Sequence, residues 1–243
     1  GSTDATGTAA RFNTPNEVIL VGDNLYVSDT HNHKIRKIVI STGFVTTFAG
    51  STQGFQDGTG TSAKFYYPNG ITTDGTNLYV GDTYNHRIRK IVISTGVVST
   101  LAGSGSQSFG NATGTAASFN RPSGIVTDGT NLYVADANNH RIRKIVIATG
   151  AVTTFAGSGS SGSTDGSGTS ATFKGPNAIT TDGTNLYVAD TDNHMIRKIV
   201  KSTGVVTTLA GSAGSQGSTN GTGTAARFRY PRAITTDGTD LYV

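Results

Sequence analysis

The sequence predicts an all-β repeat fold, and three observations support this prediction. The tripeptide Leu-Tyr-Val recurs at spacings of 53, 54, 54 and 55 residues. A Phe-x-x-Pro pair precedes each copy at the same spacing. Short β-branched runs, separated by Asp-Gly and Thr-Gly turns, fill every unit, and such runs are typical of β-hairpins. The repeated units begin near Phe12, Phe65, Phe119, Phe173 and Phe228.

Each unit contains four short strand patterns. In the second unit they cover residues 69–73, 78–80, 87–93 and 97–101. Four antiparallel strands per unit, repeated radially, predict the blades of a β-propeller. Consecutive apolar residues, as in residues 91–93, indicate strands that are buried on both faces. We therefore expect residues 1–243 to form one propeller domain with four complete units and two strands of a fifth.

Long Gly/Ser-rich connections join the units and end in Gly-Thr-x-Ala-x-Phe. We expect the threonine of this motif to cap a single helical turn, because a hydroxyl oxygen accepts an unpaired backbone N–H there. These threonines are Thr8, Thr61, Thr115, Thr169 and Thr224. The following phenylalanine is expected between the blades. The arginines of the third strand are expected to lay their stems on apolar surface with the guanidinium in water.

The amino-acid composition of the chain limits the classes of function that it can have. The net charge of +4 comes from basic residues distributed along the chain, whereas nucleic-acid binding usually shows as a dense basic patch. No cysteine is present, which excludes disulfides and thiolate metal sites. No apolar run reaches the ~18 residues of a membrane span. Absence of cysteine is also typical of many bacterial exported proteins, so we expect an extracellular or cell-surface location.

The units resemble NHL repeats. The resemblance rests on Pro68-Asn-Gly-Ile, on Leu78-Tyr-Val-Gly-Asp and on Asn85-His-Arg-Ile, with equivalents along essentially the whole chain. The connection Asp57-Gly-x-Gly-x-x-Ala-x-Phe is similar to the subset of the family with long linkers between blades. The resemblance implies a propeller fold, with protein, RNA or glycan binding in some members and lyase or hydrolase activity in related propellers.

An aspartate and a histidine recur together in the first four units. They are Asp29, Asp82, Asp136 and Asp190, followed by His33, His86, His140 and His194. Both residue types ligate divalent metals, but Asp and Asn also satisfy backbone groups in turns. A functional pair rarely needs four symmetric copies, so we interpret the series as structural turns.

For the other aspartates, too, a metal-binding interpretation competes with a structural one. Asp74 and its equivalents Asp128, Asp182 and Asp237 each precede a glycine. The geometry of a hairpin turn accounts for this Asp-Gly pair without a functional role. The linker residues Asp57 and Asp165 lie in patterns that resemble part of a calcium loop. Asparagine stands at the equivalent positions Asn111 and Asn220, and too few carboxylates converge for calcium.

Glu17 is the only glutamate, and its equivalents are Gly70, Gly124, Ala178 and Ala233. The innermost strand lines the central tunnel, so this carboxylate is a weak candidate metal ligand. With no asymmetric His or Asp partners, we interpret it as a harmless substitution. No other catalytic motif is present.

We therefore predict a non-catalytic binding scaffold without cofactors, which presents repeated blade loops to protein or glycan partners. The candidate binding residues vary from blade to blade, and they are His31, Tyr84, Asn138 and Asp192. The alternative is a metal-dependent hydrolase or lyase with a tunnel site near Glu17. Because the fifth unit ends after its second strand, we expect either a longer propeller or a second copy to supply the missing packing.

Overall fold

The computed structural model describes residues 1–243, and every extended sheet in it is antiparallel. Four five-stranded sheets follow one another along the chain, and a two-stranded sheet ends it. The only helical segments are three-residue 3₁₀ turns, none of them long and apolar enough to cross a membrane. The all-β prediction is therefore confirmed.

Within each five-stranded sheet, the four inner strands follow one another in chain order from the innermost strand outwards. The innermost strands are Pro15–Val21, Pro68–Thr73, Pro122–Thr127 and Pro176–Thr181. The second strands are Asn24–Asp29, Asn77–Asp82, Asn131–Asp136 and Asn185–Asp190. The third strands are Lys34–Val39, Arg87–Val92, Arg141–Val146 and Met195–Val200. The fourth strands are Phe44–Ala49, Val97–Ala102, Ala151–Ala156 and Val205–Gly211. The fifth unit contributes Thr235–Thr236 and Leu241–Tyr242.

A fifth, outermost strand in each blade was not predicted from the sequence. These strands are Ala5–Thr6, Gly58–Thr59, Ala112–Thr113 and Gly166–Ser167. Each comes from the preceding linker and pairs with the start of the fourth strand, as Gly58 does with Val98. Each of these strands is only two small residues long and carries no periodic pattern, so composition alone indicated a linker there.

Two families of 3₁₀ turns flank the strands. The linker turns are Gly7–Ala9, Gly60–Ser62, Gly114–Ala116, Gly168–Ser170 and Gly223–Ala225. The turns between second and third strands are Thr30–Asn32, Thr83–Asn85, Ala137–Asn139 and Thr191–Asn193. The predicted threonine caps are wrong, because the N-cap is the residue before the glycine and makes no side-chain capping bond. Thr61 lies inside its turn, and the Gly60 N–H is already bound by the Gly96 carbonyl.

Successive blades pack face to face through apolar cores. Tyr79 and Ile88 of the second blade, for example, share one cluster with Phe119 and Ile125 of the third. Near the axis the backbones come very close: a Cβ on Gly70 would lie 2.3 Å from the Ser123 carbonyl oxygen. The packing between blades therefore requires glycine at Gly70 and likewise at Gly124.

Candidate functional site

The repeated aspartate holds a buried ion pair, which we call the Asp–Arg clamp. In the second blade, Asp82 Oδ1 accepts the Tyr66 N–H at 2.8 Å. Its Oδ2 accepts Asn85 Nδ2 at 2.9 Å and Arg89 Nη1 at 2.7 Å. Both side chains of the ion pair are fully buried. The other clamps are Asp29–Arg36, Asp136–Arg143 and Asp190–Arg197.

The clamp arginines do not reach water, so the prediction of solvent-exposed guanidinium groups is wrong for Arg36, Arg89, Arg143 and Arg197. Hydrogen bonds from both Nη atoms offset part of their desolvation, whereas Nε of each clamp arginine is buried without a partner. Arg89 Nη2 donates to Asp57 Oδ1 at 2.6 Å and to the Gln56 carbonyl at 2.9 Å. Its guanidinium also lies 5.1 Å from the ring centre of Phe65. The clamp thereby ties the linker to the second and third strands.

The clamp also explains the linker aspartates that resembled calcium ligands. Asp57 and Asp165 pair with the arginines of their own blades. In the third blade, Asn111 Oδ1 accepts Arg143 Nη2 at 2.8 Å. An amide therefore replaces the carboxylate without loss of the contact.

Burial and ion pairing oppose one another at the clamp carboxylates. Burial raises the pKa of Asp190 to about 6, and hydrogen bonds from Asn193, the Lys174 N–H and Arg197 act in the opposite direction. Because a pKa of about 6 lies below 7, the Asp190 carboxylate is ionised at neutral pH, and its ion pair with a permanently charged arginine requires this form.

The repeated histidine joins each blade to the next. His33 Nδ1 accepts the Tyr67 N–H at 3.2 Å, and His86 Nδ1 accepts the Arg121 N–H at 3.1 Å. His140 and His194 make the same contact to Gly175 and Tyr230. All four histidines have a left-handed backbone with φ between 53° and 60°. Burial lowers the pKa of His33, His86 and His140, so the neutral acceptor form is favoured.

Aspartates of the turns between innermost and second strands bind their own turns. Asp74 Oδ1 accepts the N–H groups of Thr76 and Asn77, and the Tyr79 hydroxyl donates to Oδ2 at 2.7 Å. Although partial desolvation acts in the opposite direction, these bonds hold the pKa of Asp74 at about 2. No group of three or more His, Asp or Glu side chains in the structure can hold a metal ion.

Glu17 lies beside a central cavity of about 350 Å³ that all five innermost strands line. Its Oε2 accepts the Ile71 N–H of the second blade at 3.0 Å. Burial raises the pKa of this carboxyl to about 7, and the Ile71 hydrogen bond opposes the shift. Glu17 therefore bridges two blades, and no second acidic side chain lines the cavity.

The variable loop residues share one face, which we call the loop face. It consists of the turns between second and third strands and the residues that precede each innermost strand. His31, Asn138 and Asp192 are exposed there, and Tyr84 is 38% exposed. Their backbone N–H groups donate to carbonyls of the preceding segment, as Tyr84 N–H does to Tyr66. Their side chains thus project from a fixed backbone.

Sequence reasoning missed Tyr66 and Tyr67, which lie against Tyr84. The ring centres of Tyr66 and Tyr67 are 5.1 and 4.9 Å from that of Tyr84. The signal was available, since a Tyr-Tyr pair precedes Pro68 where Asn13 and Thr14 precede the first innermost strand.

Comparison with known structures supports the propeller fold. A Bacteroides thetaiotaomicron protein of unknown function matches 98% of this chain and 68% of its own, with a TM-score of 0.64 and 23% identity. A chain in the nidogen/laminin complex matches over 95% of this chain and 71% of its own, with a TM-score of 0.64 and 20% identity. Streptogramin B lyase is similar over 95% of this chain and 64% of its own, with a TM-score of 0.52 and 14% identity. At these identities the similarity establishes the fold alone: an all-β protein built from propeller blades.

Sequence comparison adds the family. The NHL repeat matches residues 65–91 and 119–145. NHL repeat-containing protein 2 of Bos taurus is 35% identical over 146 residues, 54% of this chain and 20% of that protein. Protein SUPPRESSOR OF QUENCHING 1, chloroplastic, of Arabidopsis thaliana is 31% identical over 211 residues, 79% of this chain and 20% of that protein. This chain therefore contains NHL repeats, as the sequence motifs indicated, and spans about a fifth of these curated relatives.

Proposed function

We propose that this chain is a non-catalytic scaffold that binds a protein partner through its loop face. NHL-repeat propellers generally mediate protein interactions. One observation carries the proposal for this chain: the polar residues repeated in every blade are engaged within the fold. The clamp carboxylates bind arginine and backbone, and the histidines bind the next blade. The candidate residues of the loop face, by contrast, are exposed and vary between blades.

A hydrolase or lyase with a tunnel site has no comparable support. Glu17 accepts a backbone N–H and lacks a second carboxylate or histidine in the cavity. A catalytic site requires a base, a nucleophile or a metal in mutual reach. The sequence-based predictions of glycan partners, self-association and an extracellular or cell-surface location stay predictions.

A paired set of variants tests the proposal. Four alanine substitutions at His31, Tyr84, Asn138 and Asp192 remove the variable side chains of the loop face. The control carries alanine at Thr76, Thr130 and Thr184, whose side chains lie in the turns at the opposite ends of the innermost strands. Wild type and both variants are immobilised and exposed to a lysate of the source organism. The proteins that each of them retains are identified by mass spectrometry and compared.

We expect the loop-face variant to lose the partners of the wild-type chain and the control to keep them. Equal retention by wild type and loop-face variant would contradict the proposal. So would metal-dependent ester or lactone hydrolysis that disappears in Glu17→Gln. A glycan array probed with the same three proteins separates glycan from protein recognition.

A further inference from the structure

Three tyrosines form a compact patch on the loop face, which we call the tyrosine cluster. Its members are Tyr66, Tyr67 and Tyr84, with ring centres 4.9 to 5.2 Å apart. His31 and His33 place their rings edge-on to Tyr67 at 5.0 and 4.9 Å. No other blade assembles three tyrosines in this way, so the patch is a local departure from the repeat.

The backbone that presents the cluster is held in an unfavourable conformation. Tyr67 has φ 54°, in the left-handed region, where a bulky residue costs about 1–2 kcal/mol. Gly175 stands at the equivalent position with φ 58° and carries no such cost. The bond from Tyr67 N–H to His33 Nδ1 fixes this conformation. The same left-handed backbone recurs at the equivalent residues Thr14, Arg121 and Tyr230, so it belongs to the repeat and fixes where the Tyr67 ring lies.

The loop face is basic. Arg121, Lys174 and Arg229 are exposed on it, and the Arg121 guanidinium lies 4.6 Å from the ring centre of Tyr84. Acidic residues are placed elsewhere. Those in the clamps and linkers pair with arginines: Asp4, Asp29, Asp57, Asp82, Asp136, Asp165 and Asp190. Those at the opposite ends of the innermost strands are Asp23, Asp74, Asp128, Asp182, Asp237 and Asp240. Asp192 is the exception, an exposed carboxylate on the loop face.

We propose that the tyrosine cluster, together with Arg121 and Lys174, binds an extended acidic peptide segment of a protein partner. This inference rests on the proposed function and specifies the partner's chemistry. Tyrosine and arginine are the residues that most often anchor protein interfaces. Tyr84 and its neighbours supply apolar contact and hydroxyl groups to the peptide, and the basic residues attract its carboxylates.

The geometry favours a peptide over other anionic or stacking ligands. The tyrosine rings are tilted by 34° to 50° to one another, so they offer no flat platform for a sugar ring or a base. The exposed cations lie in three different units instead of forming a continuous basic track for a phosphate backbone. A single-stranded nucleic acid is the main competing occupant.

Fluorescence anisotropy with a labelled peptide of alternating glutamate and tyrosine tests the inference. Alternating glutamine and tyrosine serves as the neutral peptide, and oligouridylate as the nucleic-acid probe. The variants are Tyr84→Ala, Tyr67→Gly and Arg121→Gln, with Thr130→Ala, in the turn at the opposite end of the innermost strand of the third blade, as the control. Tyr67→Gly places at Tyr67 the residue that the fourth blade already uses there, so the fold is preserved.

We expect Tyr84→Ala and Tyr67→Gly to weaken binding of the acidic peptide about tenfold or more, as for anchor residues. Arg121→Gln weakens it less and reduces its salt dependence, and Thr130→Ala leaves it unchanged. Tighter binding of oligouridylate, equal binding of the neutral peptide, or an equal effect of Thr130→Ala would overturn the inference. The proposed function is tested by a different outcome: it is contradicted if the four-alanine variant of the loop face keeps every wild-type partner.

Discussion

We expect the removal of one clamp carboxylate to destabilise its blade strongly. Removal of the linker carboxylate that pairs with the same arginine should have a far smaller effect. Asp82 is fully buried and accepts three hydrogen bonds, from Tyr66, Asn85 and Arg89. Asp82→Ala leaves the buried Arg89 guanidinium without this carboxylate. Breaking a buried ion pair by removing one partner costs about 3–5 kcal/mol. The cost falls on the second blade and on the linker that the clamp holds.

The matched control is Asp57→Asn, on the other side of the same arginine. The Asp57 side chain is 49% exposed, and asparagine already makes this contact in the third blade. We therefore expect a loss of about 1 kcal/mol or less, as for exposed ion pairs.

Native-state hydrogen exchange, followed by mass spectrometry of peptides from each blade, is the appropriate assay. Stability in repeat proteins is distributed over neighbouring units, so a single global transition is not assumed. For Asp82→Ala we expect exchange in the second blade to accelerate about a hundredfold or more, since each tenfold is ~1.4 kcal/mol. Exchange in the fourth blade changes much less. An Asp82→Ala effect under tenfold, or an equal effect of Asp57→Asn, would refute the role assigned to the clamp.

Three further predictions follow from single contacts. Glu17 binds its proton more tightly in the folded state, with a pKa of about 7. The folded protein therefore loses up to about 3 kcal/mol of stability as pH rises from about 4 to 7. In urea titrations, the stability of Glu17→Gln should depend less on pH than that of wild type. Gly70→Ala forces a Cβ to within 2.3 Å of the Ser123 carbonyl and should lower stability by about 1–3 kcal/mol, whereas Asn69→Ala should change the urea midpoint little. Tyr67→Gly should shift the thermal midpoint only slightly, because relief of left-handed strain offsets the lost ring contacts; a large drop would show that the ring is a structural element.

The repeat made the blades predictable, because turn residues and apolar runs recur with a fixed period. The sequence thus placed the strand from Arg87 and the turn at Asp74 close to their observed positions. It could not show that Arg89 turns inward, since an arginine in a strand pattern is equally compatible with exposure. Only the linker fold brings Asp57 to Arg89 and makes burial favourable.

The candidate site was less predictable, for a related reason. Tyr84 stood out by its variation among blades, but Tyr66 and Tyr67 are distant from it in sequence and meet it only when the linker returns to the loop face. The contact from His86 to Arg121 likewise crosses between blades, which no pattern within one unit reveals. Contacts between units therefore required the structure.

We propose that repeated polar residues hold the blades together and that variable residues of the loop face bind partners. Thermal unfolding of Tyr84→Ala and His86→Asn, with and without the glutamate–tyrosine peptide, tests it most directly. Asparagine tolerates the left-handed backbone of His86, so the variant removes the imidazole acceptor alone. We expect His86→Asn to lower the midpoint and keep the peptide-induced shift, whereas Tyr84→Ala keeps the midpoint and loses the shift. The reverse pattern would contradict it.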